Sequence, residues 1–172
     1  MAEKHIVRGI LAGVAGGLVA SWVMNEFSST VGQKISDAVE SPQDKAELKQ
    51  ESDGEDSTMK MADKIVETVT GGQHLTHEQR EIGGPIVHYS MGAISGAIYG
   101  GLAEYCDAAK AGFGTTFGAV LFTTADLFGV PAMGVGKWPD QYPVSSLANP
   151  LGAHLVYGFT TELVRRIVRE IL

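Results

Sequence analysis

Apolar residues are concentrated in four Gly- and Ala-rich stretches, at 6–27, 85–105, 111–135 and 147–168. A helix that crosses the hydrocarbon core of a bilayer needs about 20 mostly apolar residues, and each stretch comes close to this length. Residues 10–24 and 112–125 contain no charge, so they lack the polar face of a soluble surface helix. The pattern predicts an all-α fold in which residues 1–172 form one integral membrane domain, a four-helix transmembrane bundle.

The polar segment 28–80 separates the first two stretches and is predicted to be a partly helical extramembrane loop. Within it, five apolar residues at helical spacing predict a short amphipathic helix over about 58–70: Met61, Ala62, Ile65, Val66 and Val69. Ser57 or Thr58 is expected to cap its start, and Gly71-Gly72 to end it.

Other residues in the loop predict where helices end and begin. Helix one is expected to continue until Ser41-Pro42, and residues 44–56 are expected to form a mobile linker. Thr76 and Gln79 have the spacing of a capping box, which predicts a new helix start. Gly83-Gly84-Pro85 is then expected to break or kink this helix before the second span.

Basic residues near the predicted spans indicate an orientation. They are Lys4, Arg8, Lys110, Arg165, Arg166 and Arg169. An even number of spans places all of them in the cytoplasm, as the positive-inside rule requires. We therefore expect a multi-pass protein of the bacterial inner membrane with both termini cytoplasmic. The loop 28–80 and the connection 137–146 then face the periplasm or exterior.

The amino-acid composition excludes some partners and bonds but does not identify the protein. The mean hydropathy is only +0.06, because the average mixes the apolar stretches with the polar loop. The net charge of −7 and the lack of a basic stripe argue against a nucleic-acid partner. One cysteine, Cys106, excludes a disulfide within the chain.

Glycines recur at four-residue spacing in three of the stretches: Gly9, Gly13 and Gly17; Gly92, Gly96 and Gly100; Gly114 and Gly118. In lipid, helices associate largely through close backbone approach, which small residues permit. The pattern predicts tight helix packing inside one subunit. An oligomerisation face or a glycine-lined pore is the alternative.

Several polar residues fall at membrane depth, in the outer half of the predicted bilayer. They are Glu26, His88, Tyr89, Asp126, His154 and Tyr157. Polar groups inside a membrane usually face a partner or a cavity, so these side chains form a candidate intramembrane cluster.

Four interpretations of the cluster remain open. Two histidines and a carboxylate can bind a metal, His88 and His154 can ligate a haem iron, and the set can relay protons. In the fourth, Asp126 accepts hydrogen bonds from His154, a tyrosine or neighbouring threonines and thereby fixes helix packing. The sequence assigns no metal or other cofactor.

We predict a non-catalytic protein, because no catalytic, phosphate-binding or dinucleotide motif occurs. The first expectation is a structural or accessory subunit in the lipid bilayer. Its Gly/Ala faces would pack against other membrane subunits or against further copies of the chain. The alternatives are a small channel, transporter or proton-responsive protein, and a metal- or haem-binding protein. Near the inner interface, Glu162 is expected to pair with Arg165 or Arg166.

The chain from Met61 onward resembles the YagU-like bacterial inner-membrane proteins, a family of unknown function. The resemblance rests on Gly84-Pro85-x-Val87-His88-Tyr89, Ala97-x-Tyr99-Gly100, Ala125-Asp126, Val130-Pro131-Ala132-x-Gly134, Gln141-Tyr142-Pro143 and Ala153-His154-Leu155-Val156-Tyr157-Gly158. It implies a multi-pass membrane protein and supplies no activity. In that family an acidic residue follows the position of Asp126, where this chain has Leu127.

Overall fold

A computed structural model describes residues 5–51 and 54–172, and these ranges form helices and turns with no β-strand. The all-α prediction is therefore confirmed for the described residues. The longer helices are α1 (Ile6–Val39), α2 (Pro42–Glu51), α3 (Ser57–Thr70), α4 (His77–Tyr105), α5 (Thr115–Leu121, Phe122–Gly129 and Val130–Ala132 in succession) and α6 (Ala148–Ile171). Lys4 lies outside the described residues.

α1 extends beyond its apolar stretch and ends before Ser41-Pro42, as predicted. The following segment differs from prediction, because α2 occupies most of the expected linker. Its start is capped reciprocally: Asp44 N donates to Ser41 Oγ at 3.1 Å, and Ser41 N donates to Asp44 Oδ2 at 3.1 Å. Pro42 suits the first turn of a helix, so the Ser-Pro pair that stops α1 also begins α2.

α3 lies where the amphipathic pattern predicts it and ends at Gly71 in the left-handed conformation (φ 74°). The capping prediction is wrong by one residue. Asp56 caps the helix, since its Oδ1 accepts from the amides of Thr58 and Met59, each at 2.9 Å. A carboxylate at this position also favours the positive end of the helix dipole.

α4 begins with the predicted capping box at Thr76 but is not broken at Pro85. The missing N–H of Pro85 removes a single intrahelical hydrogen bond. α3 packs against Gly83 and Gly84, which precede the proline. At Gly84 an added Cβ would lie 2.9 Å from Met59 Cγ, which shows how closely α3 approaches.

α5 starts at Thr115 rather than at residue 111. Phe113 (φ 55°) and Gly114 (φ 84°) lie in the left-handed region, which a continuing right-handed helix cannot include. The helix also ends at Ala132, three residues before the predicted end. Its central part, Phe122–Gly129, is a π-helix that contains Asp126.

α1 lies at the centre and packs along both α4 and α6, while α5 packs against α6 and α3 against α4. The start of α1, the end of α4, the turn before α5 and the end of α6 meet at one end of the bundle. Contacts of Glu104 with His5 and Arg169, and of Arg166 with Phe113, mark this arginine end.

Many large apolar side chains are exposed, while several polar side chains are buried. Exposed on the surfaces of α4 and α6 are Ile94, Ile98, Leu102, Phe159, Leu163 and Ile167. Buried in the core are Ser21, Ser95, His154, Thr161, Glu162 and Arg165, beside alanines and two tyrosines. A water-soluble bundle has the opposite distribution.

Two helical stretches, Ile6–Val39 and Asp107–Ala132, are long and apolar enough to cross a membrane. Only 39% and 17% of the residues in their most apolar windows are buried, and Ile10, Leu11 and Val120 are among the exposed apolar residues. α4 and α6 do not meet the same criterion in the described chain, because Gly, Ser, His and charged residues lower their hydropathy.

Candidate functional site

The predicted glycine faces of α1 and α4 pack directly against each other. A Cβ added at Gly96 would lie 2.8 Å from Gly17 Cα and 2.9 Å from Gly17 N. The other members of the two ladders make similar contacts: Gly9 and Gly13 meet Gly100, and Gly17 meets Gly92. Such separations bring the two backbones into van der Waals contact.

Gly114 and Gly118 contact α6 of the same chain. A Cβ at Gly114 would lie 2.9 Å from the Gly158 carbonyl carbon, and one at Gly118 would lie 2.9 Å from that of His154. All eight predicted packing glycines therefore contact other helices of this chain. Binding to further subunits stays a prediction, and it would use the outer surfaces.

A polar cluster fills the arginine end around Glu162, whose side chain is 0% exposed. Arg165 Nε and Nη2 donate to its two carboxylate oxygens at 2.7 and 3.0 Å, as the predicted pairing requires. Arg166 Nε donates at 2.6 Å, and Tyr99 on α4 donates at 2.8 Å. Each carboxylate oxygen is thus satisfied without water.

Glu104 joins this cluster from α4, a role that the sequence analysis did not foresee. It accepts from Arg169 Nε at 2.8 Å and from the His5 amide at 3.2 Å, and it lies 3.9 Å from Arg165 Nη1. The only signal in the sequence was its position at the predicted inner end of span two. The cluster joins α1, α4 and α6 at one end of the bundle.

At the opposite end, the helices separate around a chamber of about 620 Å³. It lies between α1, α4, α5 and α6, with the first turn of α3 at its edge. Its walls include Ser21, His88, Met91, Asp126, His154 and Tyr157. Four of the six predicted cluster residues therefore share one cavity.

Asp126 is not fixed by hydrogen bonds, contrary to the architectural interpretation. His154 Nδ1 lies 3.7 Å from Asp126 Oδ2, too far for a hydrogen bond. That nitrogen is 2.9 Å from the Pro150 carbonyl, which can only accept, so Nδ1 carries the proton. Thr123 and Thr124 donate to carbonyls of their own helix.

The remaining predicted residues have other partners. Tyr157 donates to the Gly92 carbonyl at 2.6 Å and closes the floor of the chamber. His88 Nε2 lies 3.2 Å from the Ser21 carbonyl and likewise acts as the donor. Tyr89 contacts the His88 ring edge-on, with 5.4 Å between centroids. Glu26 is exposed and does not line the chamber, so the structure does not bring it into the cluster.

A second cavity of about 410 Å³ forms an outer vestibule. Glu40, Glu55, Lys60 and Lys137 are among its lining residues. Asp126 lines both the vestibule and the chamber, and its side chain is 37% exposed. The carboxylate thus stands where the two cavities meet, on a π-helix, a rare geometry that is often found at functional sites.

α3 is held at the mouth of the chamber by two sets of polar contacts. Asp63 accepts from the Leu75 amide at 2.6 Å and contacts His74, while Glu55 accepts from Arg80 at 2.8 Å and contacts His77. Hydrogen bonds from His74 and Leu75 lower the pKa of Asp63, and those from His77 and Arg80 lower the pKa of Glu55.

Metal and haem binding remain predictions. Among the described residues, no group of three or more His, Cys, Asp or Glu side chains is arranged to hold a metal ion. His88 and His154 share the chamber, and each ring directs one nitrogen to a backbone carbonyl.

The chain matches no protein-family model, no curated protein and no solved structure. The resemblance to YagU-like proteins therefore stays a prediction.

Proposed function

We propose that this chain is a non-catalytic, four-span protein of the bacterial inner membrane that binds and translocates a small molecule through its chamber. α1, α4, α5 and α6 are the proposed spans. The observation that carries the proposal is the distribution of side chains on α4, where exposed Ile94 adjoins buried Ser95 on the chamber wall. Lipid, rather than water, is the surrounding that suits this arrangement.

The arginine end is the proposed cytoplasmic side. Arg8 at the start of α1, Lys110 in the turn before α5 and the three arginines at the end of α6 all belong to segments of this end. The positive-inside rule places such basic residues in the cytoplasm. The vestibule and α3 then lie on the periplasmic or exterior side.

The two ends of the bundle differ in a way that fits a carrier. The arginine end is sealed by glycine contacts and by the bonds around Glu162, whereas the Asp126 end contains both cavities. A chamber that is closed on one side and approached from the other corresponds to one state of alternating access. A permanently open pore would need a path through the arginine end.

Cysteine accessibility at two adjacent positions tests the proposal. In a Cys106→Ser background, Ser95→Cys places a thiol on the chamber wall and Ile94→Cys places one on the outer surface at the same depth. The protein in liposomes is treated with a membrane-impermeant trimethylammonium thiosulfonate, and the extent of modification is measured by mass spectrometry.

We expect modification of Ser95→Cys and protection of Ile94→Cys, since water reaches the chamber and lipid covers the outer surface. Faster modification of Ile94→Cys would contradict the membrane assignment, because it would make the outer surface aqueous. Protection of both would contradict the open chamber. Unchanged helical circular dichroism verifies that each variant is folded.

A further inference from the structure

We infer that the chamber selects lipophilic monocations, with the carboxylate of Asp126 as their counter-charge. This inference rests on the proposed chamber function and names its class of ligand. It follows from the charges on the walls, the lack of a hydrogen bond to Asp126 among the described residues and the nature of the apolar lining.

The walls of the chamber carry acidic groups and imidazoles. Asp56, Asp126, His88 and His154 line the chamber, and no Lys or Arg side chain does so within the described residues. Asp56 is engaged by the amides of α3 that it caps. Asp126 is therefore the acidic group that remains for a ligand.

The carboxylate of Asp126 lacks a hydrogen-bonded partner among the described residues. Asp126 accepts no hydrogen bond within the described chain, and its nearest basic atom is His154 Nδ1, at 3.7 Å and already donating to Pro150. A carboxylate at membrane depth is costly without a cation or a donor. A bound cation would supply the missing partner, and an anion would add a like charge.

The lining of the chamber around Asp126 is rich in methionine. Four of the chain's six methionines line the chamber: Met24, Met61, Met91 and Met133. Thioether side chains are flexible and polarizable, and they accommodate apolar ligands of varied shape. A volume of about 620 Å³ lies in the range that holds a drug-sized molecule. The ligand is thus apolar over most of its surface and cationic at one point.

Two probes of nearly equal size and opposite charge test the inference, namely tetraphenylphosphonium and tetraphenylborate. Binding of each to the purified full-length protein is measured by equilibrium dialysis in one detergent. The variants are Asp126→Asn, Asp126→Glu and Met91→Trp, the last of which fills the chamber without changing its charge. Thermal unfolding verifies the fold of each.

We expect the cation to bind more tightly than the anion, and Asp126→Asn to weaken cation binding on the order of tenfold without weakening anion binding. Asp126→Glu should retain the preference, and Met91→Trp should weaken both probes. Equal loss of both probes in Asp126→Asn, or no loss of the cation, would overturn the charge selection. The chamber function would survive that result if Met91→Trp still weakened binding. Absence of binding by both probes would overturn the inference, while cysteine accessibility decides the chamber independently.

Discussion

The hydroxyl of Tyr99 donates a hydrogen bond of 2.8 Å to Glu162, a residue 63 positions away in the sequence. This contact joins the last third of α4 to α6 across a core in which both side chains are fully buried. Arg165 and Arg166 complete the shell of donors around the carboxylate. The packing of the arginine end therefore depends on Glu162.

We expect Glu162→Gln to destabilise the fold by up to about 3–5 kcal/mol, because it removes the hydrogen-bonded counter-charge of the buried Arg165 guanidinium and leaves only Glu104, 3.9 Å away. Tyr99→Phe removes one hydrogen bond to a carboxylate that keeps its bonds from Arg165 and Arg166, and the loss should be smaller, about 1.5–3 kcal/mol. The measurement is thermal or denaturant-induced unfolding in detergent, followed by circular dichroism.

Arg165 and Arg166 provide a matched comparison within this cluster. Their side chains are 7% and 50% exposed, so Arg165→Gln should be far more destabilising than Arg166→Gln. Equal losses for the two arginines, or a loss for Glu162→Gln no larger than that for Tyr99→Phe, would contradict a charge-dependent core.

Gly96→Ala tests the close approach of α1 and α4. A Cβ there would lie 2.8 Å from Gly17 Cα, so the two backbones must move apart, and we expect a loss of about 1–3 kcal/mol. Gly101→Ala is the control on the same helix, since its Cβ would first meet Ile10 Cγ1 at 3.4 Å. That substitution should be neutral or stabilising by up to about 1 kcal/mol, because alanine favours helices. The same unfolding assay applies, and the opposite ranking would count against the glycine interface.

Local signals in the sequence predicted much of the helical framework. Thr76 with Gln79 located the start of α4, and Gly71 located the end of α3. These signals act over three or four residues, so they can be found without the rest of the fold. Ser41-Pro42 predicts the end of α1 but not the start of α2. In the structure the Ser41 side chain also caps α2.

Features that depend on contacts between distant residues could not be predicted from the sequence pattern. The left-handed Phe113 shifts the start of α5, and nothing in the adjacent letters marks it except flanking glycines. The meeting of Asp126 with His154 was foreseen as geometrically possible, but the exclusion of Glu26 depends on how α1 is rotated. Small, uniform Gly/Ala surfaces do not fix that rotation until all helices are packed.

Acid should loosen α3 from the start of α4. The pKa values of Glu55 and Asp63 are lowered by their partners, so these carboxylates stabilise the docked state when the pH is above their ordinary pKa values, about 4. The contribution disappears as the pH falls through the lowered values and both groups take up protons. We expect hydrogen exchange of α3 amides, corrected for intrinsic rates, to be less protected at pH 3 than at pH 7.

Asp63→Asn separates this effect from general acid unfolding. At pH 7 the variant should already show reduced protection in α3, and acid should then change it less than it changes the parent protein. α6 amides serve as the internal reference, because α6 packs mainly against α1 and α5 rather than against α3. Protection of α3 that is the same at both pH values would contradict the role of the two carboxylates.

The single cysteine of the chain reports on which side of a membrane α4 ends. Cys106 is exposed directly after α4, and in the proposed orientation it faces the cytoplasm. A membrane-impermeant maleimide should therefore label it in inverted vesicles and leave it unlabelled in intact cells.

Val69→Cys in a Cys106→Ser background is the matched control, since Val69 is 81% exposed on α3, before the proposed second span. This thiol should show the reverse pattern. Labelling of both thiols from the same side would mean that α4 does not cross the bilayer, whereas an exchange of the two patterns would keep four spans and invert the orientation.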